Sequence, residues 1–320
     1  MRARPTPSKL IEAATAFDWR RYVIYIGFVA VFLYFTVTLH GSGFDSQTNL
    51  LNILRATATI SVMAVAMTFV IGAAQIDLSV GAVVGLSSVT TAMAVERWGL
   101  AAGIVAGLLT GLLVGAINGA LVAGLSIPSF LVTLGMLGVA HGTAEWITNT
   151  EPQPILNSTY NNTFGSGDLG SIPSLAIWTA IAFLIGHITL RKTAYGRQVL
   201  ATGGNAIAAR FSGVNTKRIT FLVLSIMGLT AGLAGMLDAG RLQSGRFQWG
   251  EGDELSVIAA VILGGTSLFG GSATVVGSLI GSLMIGMINN GLILAGLESS
   301  QQQVVRGAII VLAVALARRK

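Results

Sequence analysis

The sequence predicts an all-α protein that crosses a membrane about ten times, as two five-helix halves in a 5+5 inverted repeat. Of its 320 residues, 53% are hydrophobic and only 10% are charged, whereas a typical soluble domain is about 25% charged. Apolar runs long enough to cross a bilayer as helices recur along the chain. Two short motifs of the first half also recur in the second half.

Ten apolar segments are predicted to cross the membrane, each approaching the roughly 20 helical residues that a bilayer requires. They are residues 22–39, 56–75, 78–95, 99–124, 129–147, 174–190, 219–239, 255–270, 273–295 and 303–317. Glycine is dispersed through them, with small-xxx-small spacing at Gly103, Gly107, Gly111 and Gly115 and at Gly277 and Gly281. This spacing predicts helices whose backbones approach closely.

The distribution of Lys and Arg predicts that both termini are cytoplasmic. With the N-terminus inside, the outer segments hold Arg55, Arg97, Arg241, Arg246 and Arg306, and the other fourteen of the 19 cations lie on inner segments. The chain then divides into a cytoplasmic N-terminal segment (1–21), a transmembrane domain (22–317) and a cytoplasmic tail (318–320). Within the domain, 148–173 is a periplasmic loop and 191–218 is a cytoplasmic loop.

Several function classes are disfavoured by what the sequence lacks. It contains no cysteine, so a disulfide framework or a thiolate metal site is excluded. The glycine-rich run Gly264–Ser272 has no lysine with which to reach a phosphate, so it does not match a nucleotide-binding loop. We therefore expect no catalytic residue, no cofactor, no metal and no ATPase activity in this chain, and no nucleic-acid partner.

The internal repeat rests on two pairs of motifs. Asp77-Leu-Ser-Val at the start of the third span matches Glu254-Leu-Ser-Val at the eighth, and Ile117-Asn118-Gly119 matches Ile288-Asn289-Asn290-Gly291. The copies lie five spans apart, so they run in opposite directions through the membrane. In transport folds of this kind the path lies where the halves meet. Chance similarity between glycine-rich apolar runs is the alternative explanation.

The 191–218 loop is rich in glycine and is purely basic. Ala208, Ala209, Phe211 and Val214 form a short amphipathic turn that could enter a groove on a partner protein. Small residues permit close backbone approach, and glycine permits unusual dihedral angles. The residues alone do not separate this interpretation from that of a basic loop that only sets the membrane orientation.

Polar side chains within the spans are candidates for a translocation path. Ionisable groups at membrane depth are functional candidates by default. Asp77 is favoured as a helix cap with Ser79, and His141 and Glu145 as a mutually satisfied pair on one helix face rather than a proton relay. The amides of Asn118, Asn289 and Asn290 either bond neighbouring helices or line the path.

Four segments closely resemble the permease subunits of ribose-type ABC importers. They are Ile76–Gly81, Pro128–Gly135, Gly196–Val214 and Ile258–Gly271 with its continuation to Asn290-Gly291. The resemblance covers the chain from about the first span to the C-terminus. It implies a multi-pass protein of the bacterial inner membrane that moves a monosaccharide or related polyol.

The resemblance also implies partners: a second permease copy or paralogue, a cytoplasmic ATPase and a periplasmic solute-binding protein. In that family the glycine-rich loop is the segment that docks on the ATPase. The corresponding positions here are Gly203, Gly204, Asn205, Ala208, Ala209, Arg210, Ser212 and Gly213. The outer cations Arg55, Arg97, Arg241 and Arg246 become candidates for pairing with acids on the binding protein, with solvated surface charges as the alternative.

Some positions depart from the family pattern. Relatives usually carry Gly at Gln75, Arg at His141 and an acid near Ala206 or Ile207, so the detailed ATPase contacts are expected to differ. The alternatives are an ion-coupled secondary transporter of a small polar solute, or an ABC permease for a non-sugar solute such as an autoinducer or amino acid. A channel or scaffold is a third class.

Overall fold

The computed structural model of the chain describes residues 23–317, which form thirteen α-helices and four two-residue strands. The predicted all-α class is confirmed. The predicted N-terminal segment (1–21) and C-terminal tail (318–320) lie outside the described residues.

The helices follow one another with short connections. The first half contains α1 (Val23–Thr38), α2 (Gln47–Gly72), α3 (Val80–Trp98), α4 (Leu100–Leu125) and α5 (Ser129–Thr148). The connection to the second half contains β1 (Gln153–Pro154), α6 (Ser158–Phe164), β2 (Asp168–Leu169) and β3 (Ile172–Pro173). The second half contains α7 (Ser174–Lys192), α8 (Ala194–Gly204), α9 (Ala206–Phe211), α10 (Thr216–Leu242), β4 (Ser244–Gly245), α11 (Asp253–Leu263), α12 (Val275–Leu294) and α13 (Ser299–Ala317).

Six helices are long and apolar enough to cross a membrane, namely α2, α4, α5, α7, α10 and α12, and α1 is a shorter apolar helix. We call the side of the molecule that holds residues 192–216 the inner face, after the charge-based prediction, and the opposite side the outer face. The short antiparallel pairs β1–β4 and β2–β3 belong to outer-face connections.

The predicted span 255–270 is wrong as a continuous helix. The helix α11 has only 11 residues, which at 1.5 Å per residue is about 16 Å, half of a hydrocarbon core of about 30 Å. From Gly264 the chain leaves the helix, and Gly265, Gly270 and Gly271 have positive φ angles of 89°, 80° and 76°. These glycines permit the irregular path because they have no Cβ.

The core lies around α2 and α10. In the most apolar stretch of these two helices, 83% and 67% of the residues are buried. The two halves pack in corresponding pairs: α10 packs on α3 and α4, while α2 packs on α11 and α12. In contrast, α4 has one exposed side that carries Val105, Leu109, Leu113 and Ile117. This apolar side is suited to lipid.

The small-xxx-small glycines of α4 lie on its buried side, as predicted. A Cβ on Gly111 would overlap the carbonyl oxygen of Gly228 in α10, and one on Gly107 would overlap the Thr91 hydroxyl. In the second half, a Cβ on Gly281 would overlap the carbonyl oxygen of Ala260 in α11. The glycines therefore allow direct backbone contact between helices.

The outer 148–173 loop is folded onto the helices. The buried Tyr160 in α6 donates its hydroxyl to the carbonyl of Met236 at 2.8 Å. Its ring stacks on Phe164, which in turn stacks on Trp178 of α7, with centroid distances of 5.1 and 5.2 Å. This aromatic column fixes the loop to the outer ends of α7 and α10.

Candidate coupling segment and translocation path

The coupling segment predicted from the sequence forms two short helices, α8 and α9, on the inner face. Gly203 and Gly204 end α8, and the Asn205 carboxamide oxygen accepts hydrogen bonds from the backbone of Ile207 and Ala208 at 3.1 and 3.0 Å. This side chain caps the amino end of α9. A single asparagine therefore turns the chain sharply between the two helices.

The helix α9 has one anchored side and one exposed apolar side. Ala209 is buried, whereas Ile207 and Phe211 remain 69% and 90% exposed. Positions 207 and 211 are four residues apart and share a helix face. The exposed apolar side chains therefore form a small hydrophobic knob on the inner face.

The helix α9 ends at a turn that requires glycine. Gly213 has φ +86°, with no atom within 4 Å of a built Cβ, so strain at this site would come from the backbone rather than from a clash. The Ser212 hydroxyl donates to the carbonyl of Ala208 at 3.0 Å. The Arg210 Nε donates to the Thr216 hydroxyl at 2.7 Å and ties α9 to the start of α10.

The coupling segment rests directly on the membrane helices. A Cβ on Gly203 would overlap the carbonyl oxygen of Gly72 at the end of α2, and a Cβ on Gly204 would lie 3.5 Å from the Cα of Gly271. The Gly271 amide donates to the same Gly72 carbonyl at 3.0 Å. A movement of α8 would therefore displace the end of α2 in the first half and the segment around Gly271 in the second half.

An open cavity of about 460 Å³ lies between the coupling segment and the inner ends of α2, α4 and α10. We call it the inner-face cavity. Its lining comprises Ala73, Ala74, Gln75, Val122, Ala123, Ser126, Ile127, Pro128, Thr202, Gly203, Gly204, Asn205, Ala206, Arg210, Thr216, Lys217 and Thr220. The five predicted path residues are absent from this wall.

The prediction that Asp77 caps α3 is wrong. The helix begins at Val80, and its N-cap residue Ser79 makes no side-chain cap bond. The Asp77 carboxylate instead accepts from the Ser79 amide and hydroxyl at 2.9 and 2.6 Å. The Asn118 amide donates to that same hydroxyl at 3.0 Å. Asp77, Ser79 and Asn118 are each at most 1% exposed, so this is a buried chain of hydrogen bonds, in which only the Asn118 carboxamide oxygen lacks a partner.

The two asparagines of the second half lie in different surroundings. Asn290 exchanges a reciprocal pair of amide hydrogen bonds with Asn49 of α2, both at 2.9 Å. Asn289 lines a very small cavity together with Ser256 and Arg306, and its buried carboxamide oxygen has no hydrogen-bond partner. Asn290 therefore joins helices, whereas Asn289 keeps a free acceptor.

The predicted His141 and Glu145 pair forms on α5. The His141 Nε2 lies 3.7 Å from the Glu145 Oε1, and both side chains are about one third exposed, at 31% and 41%. The imidazole ring also meets the Phe247 ring edge to face, at a centroid distance of 5.3 Å. The pair links α5 to the outer segment that follows α10.

The four outer arginines divide into two kinds. Arg55 pairs with Asp168 at 2.7 Å, and Arg241 pairs with Asp238 at 3.2 Å. The guanidinium carbons of Arg97 and Arg246 lie 5.3 and 5.4 Å from the ring centroids of Trp98 and Trp249. Arg97 and Arg246 have no carboxylate partner within the part of the chain that the structure describes.

Sequence reasoning missed Thr202 and most of the cavity wall. Thr202 is only 6% exposed, and its hydroxyl has no hydrogen-bond partner. One feature of the sequence could have pointed to Thr202. It directly precedes the Gly203–Gly204 pair, which contacts the end of α2 and the 264–274 loop. Lys217 was counted only for membrane orientation, yet it lines the cavity.

The apolar helices and the inner-face helical segment define a multi-pass membrane permease. The chain belongs to the family described as branched-chain amino acid transport system / permease component, whose profile matches residues 49–314. The resemblance to ribose-type ABC permeases is confirmed.

Similar proteins include a probable ABC transporter permease protein of Escherichia coli K12, 43% identical over 92% of this chain and 89% of that protein. The ribose import permease of Bacillus subtilis is 43% identical, over 89% of both chains. The L-arabinose ABC transporter permease of Azospirillum brasilense is 35% identical, over 98% of this chain and 93% of that protein. No solved structure matches this chain.

Proposed function

We propose that this chain is the permease subunit of a binding-protein-dependent ABC importer in the bacterial inner membrane. It translocates a monosaccharide or related polyol by alternating access, driven by a separate ATPase. It is a transport subunit and not itself an enzyme. The observation that carries the proposal is the exposed hydrophobic knob of α9, formed by Ile207 and Phe211 on a basic face. The names of relatives that import ribose and arabinose support the substrate class.

A soluble partner explains the exposure of the knob. A short helix that exposes Phe211 by 90% gains little from packing within its own chain. Burial of a phenylalanine side chain in a partner's groove contributes about 1.5 to 3 kcal/mol. Residues 169–237 contain no Asp or Glu, so the surrounding charge favours an acidic partner surface.

The contacts of α8 supply a route for mechanical coupling. Because Gly203 contacts Gly72, and Gly271 bonds to that same residue, a shift of α8 acts on α2 and on the 264–274 loop together. These two elements belong to different halves. Rocking one half against the other is the usual form of alternating access in folds with inverted repeats.

On the outer face, we propose that Arg97 and Arg246 pair with carboxylates of a periplasmic solute-binding protein. Arg55 and Arg241 are already paired within the chain, so they contribute less to docking. Each of the two available guanidinium groups rests beside a tryptophan ring, which holds it in place without neutralising it. A second permease copy or paralogue completes the membrane unit.

The test replaces the hydrophobic knob. In Phe211→Asp, a tagged chain purified in mild detergent should lose co-purifying ATPase, because a carboxylate opposes burial and an acidic partner. The matched control is Leu156→Asp, which replaces an 80% exposed leucine on the outer face. In Phe211→Asp, sugar uptake by cells and the amount of recovered ATPase should both fall. In Leu156→Asp, both should stay at the wild-type level.

Equal ATPase recovery from Phe211→Asp and the wild-type chain would contradict the docking role of α9. Uptake in proteoliposomes that contain only this chain would contradict the ABC mechanism altogether. In that case the His141 and Glu145 pair would be the next group to neutralise, as an ion-coupled transporter requires.

A further inference from the structure

The inner-face cavity has a charged lining that sugar translocation alone does not explain. Its volume of about 460 Å³ lies within the range of small-molecule sites. It is bounded on one side by the coupling segment, through Gly203 and Asn205, and on the other by the ends of membrane helices. A molecule bound there would contact both parts of the proposed coupling route.

The side of the cavity formed by α9 and α10 is positively charged. Arg210 and Lys217 line it, and none of its lining residues is acidic. Neither cation has a carboxylate partner among residues 23–317. Thr216 and Lys217 also belong to the first turn of α10, whose positive dipole end adds to the field.

The opposite side has the reverse polarity. It is formed by the carboxyl ends of α2 and α4, where Gln75 and Ser126 lie. The last turn of a helix presents backbone carbonyls that lack intrahelical donors and carry partial negative charge. At the end of α2 these carbonyls already accept from the amides of Ala73, Ala74, Gln75 and Gly271, so the open acceptors on this side are those at the end of α4. This side is therefore suited to hydroxyl groups, which donate hydrogen bonds.

Thr202 adds a polar group without a partner beside the cavity. The residue contributes to the cavity wall and is 6% exposed, and its hydroxyl oxygen is buried without a hydrogen-bond partner. A buried hydroxyl without a partner is unfavourable. Rotation of the side chain about χ1 would turn this hydroxyl toward a polar group of a bound molecule.

We propose that the inner-face cavity binds a phosphate monoester that also carries hydroxyl groups, such as a sugar phosphate. Arg210 and Lys217 hold the phosphate, as lysine and arginine commonly do, and the hydroxyl groups face Gln75, Ser126 and Thr202. Both cations are exposed and lack a carboxylate partner, so a phosphate gains charge-assisted contacts that a neutral sugar does not make. Because the ligand bridges α8 and the helix ends, it slows transport from the inner side.

The test measures binding by the full chain, with the partners that co-purify, in nanodiscs of neutral lipid. Isothermal titration is carried out with ribose 5-phosphate, ribose and inorganic phosphate. We expect saturable binding of ribose 5-phosphate that weakens at least about tenfold in Lys217→Gln, through loss of a charge-assisted contact. The matched control is Arg218→Gln, which removes the adjacent exposed cation that does not line the cavity.

A second variant separates ligand binding from folding. Thr202→Val keeps the side-chain shape and removes the unpartnered hydroxyl, so the ligand-free melting temperature should stay equal or rise. Affinity for ribose 5-phosphate should fall. If both variants bind it as the wild-type chain does, or if no binding is seen in any of them, the proposal is wrong. Equal affinity for ribose and ribose 5-phosphate would also overturn it.

The phosphate could also come from a lipid headgroup. In nanodiscs that contain an anionic phospholipid, native mass spectrometry should then find lipid retained by the wild type and by Arg218→Gln but lost from Lys217→Gln. Lipid retained in this way, without binding of ribose 5-phosphate, would assign the anion site to a phosphodiester headgroup and would overturn the sugar phosphate as its ligand. If Lys217 crosslinks to a carboxylate of the ATPase, and neither ribose 5-phosphate nor inorganic phosphate binds, the proposed anion site is wrong. These binding results do not depend on transport, so their failure leaves the proposed function standing.

Discussion

The two halves of the molecule repeat a serine and an asparagine, Ser79 and Asn118 in the first half and Ser256 and Asn289 in the second. The surroundings of the two pairs differ. In the first half, Asn118 donates to Ser79, whose hydroxyl donates to Asp77, and all three are buried. In the second half, no hydrogen bond joins Asn289 to Ser256, whose hydroxyl reaches only the Gly252 carbonyl at 3.5 Å. The carboxamide oxygens of Asn118 and Asn289 are both buried without a partner. The halves therefore differ in the bonds between the motif side chains, which are present in the first half and absent from the second.

The difference follows from where each acidic residue lies. Asp77 stands in the extended segment before α3, so its carboxylate can turn back to Ser79. Glu254 lies inside the first turn of α11 and faces Gly81 of the other half, where a Cβ would overlap its carboxylate. A repeat in sequence therefore does not guarantee a repeat in hydrogen bonding.

The largest effect is expected where the halves are alike, in the glycine contacts. Gly111→Val would drive a side chain into the backbone of Gly228, and Gly281→Val would drive one into Ala260. Each variant should lose about 3 kcal/mol of unfolding free energy or fail to fold, because overpacking a core is destabilising. Thermal melting in detergent measures this, with Gly135→Ala as the control because nothing lies within 4 Å of its Cβ. Tolerance of Gly281→Val alone would show that the second half is looser.

The next effect compares the two motif asparagines directly. Asn118→Ala removes the donor to Ser79 and leaves a buried gap, so it should cost about 2 kcal/mol. Asn289→Ala leaves a gap of the same size but breaks no side-chain hydrogen bond, so its loss of unfolding free energy should be smaller by about 1 kcal/mol. Denaturant unfolding of both variants provides the measurement. Equal losses would show that the two clusters are equivalent after all.

A smaller effect is expected at the paired serines. Ser79→Ala deprives Asp77 and Asn118 of their shared hydroxyl and should cost about 1 kcal/mol. Ser256→Ala should be nearly neutral because its 3.5 Å bond is too long to contribute much. The same unfolding assay distinguishes them. A costlier Ser256→Ala would reverse the assignment of the structural cluster.

The smallest effect concerns Asn290, the neighbour of Asn289 that is paired. A double-mutant cycle of Asn49→Ala and Asn290→Ala should give a coupling free energy of about 0.6 to 1 kcal/mol, the usual size of interhelical polar bonds in membranes. Melting or unfolding free energies of the four proteins provide it. A coupling of zero would mean that the reciprocal amide bonds in the structure add nothing to stability.

The sequence by itself determined the helical class, most of the spans and the position of the glycine-rich segment between α7 and α10, for which we propose the coupling role. Apolar runs must become helices because backbone polar groups in lipid have to bond within their own segment. The small-xxx-small glycines likewise had to lie at helix contacts. The His141 and Glu145 contact followed from helical spacing alone. These features depend on neighbours within a few residues along the chain.

Only the tertiary structure decided the early end of α11, the hydrogen bonds of the Asp77 cluster and the inner-face cavity. The 264–274 segment consists mostly of Gly, Ser and Thr, yet these small residues could have packed within a helix, as the glycines of α4 do. Asn290 meets Asn49 across 241 residues of sequence, and Thr202 lacks a partner because of how α8 lies on the helix ends. Such outcomes depend on which distant surfaces meet, and local residue type does not encode that.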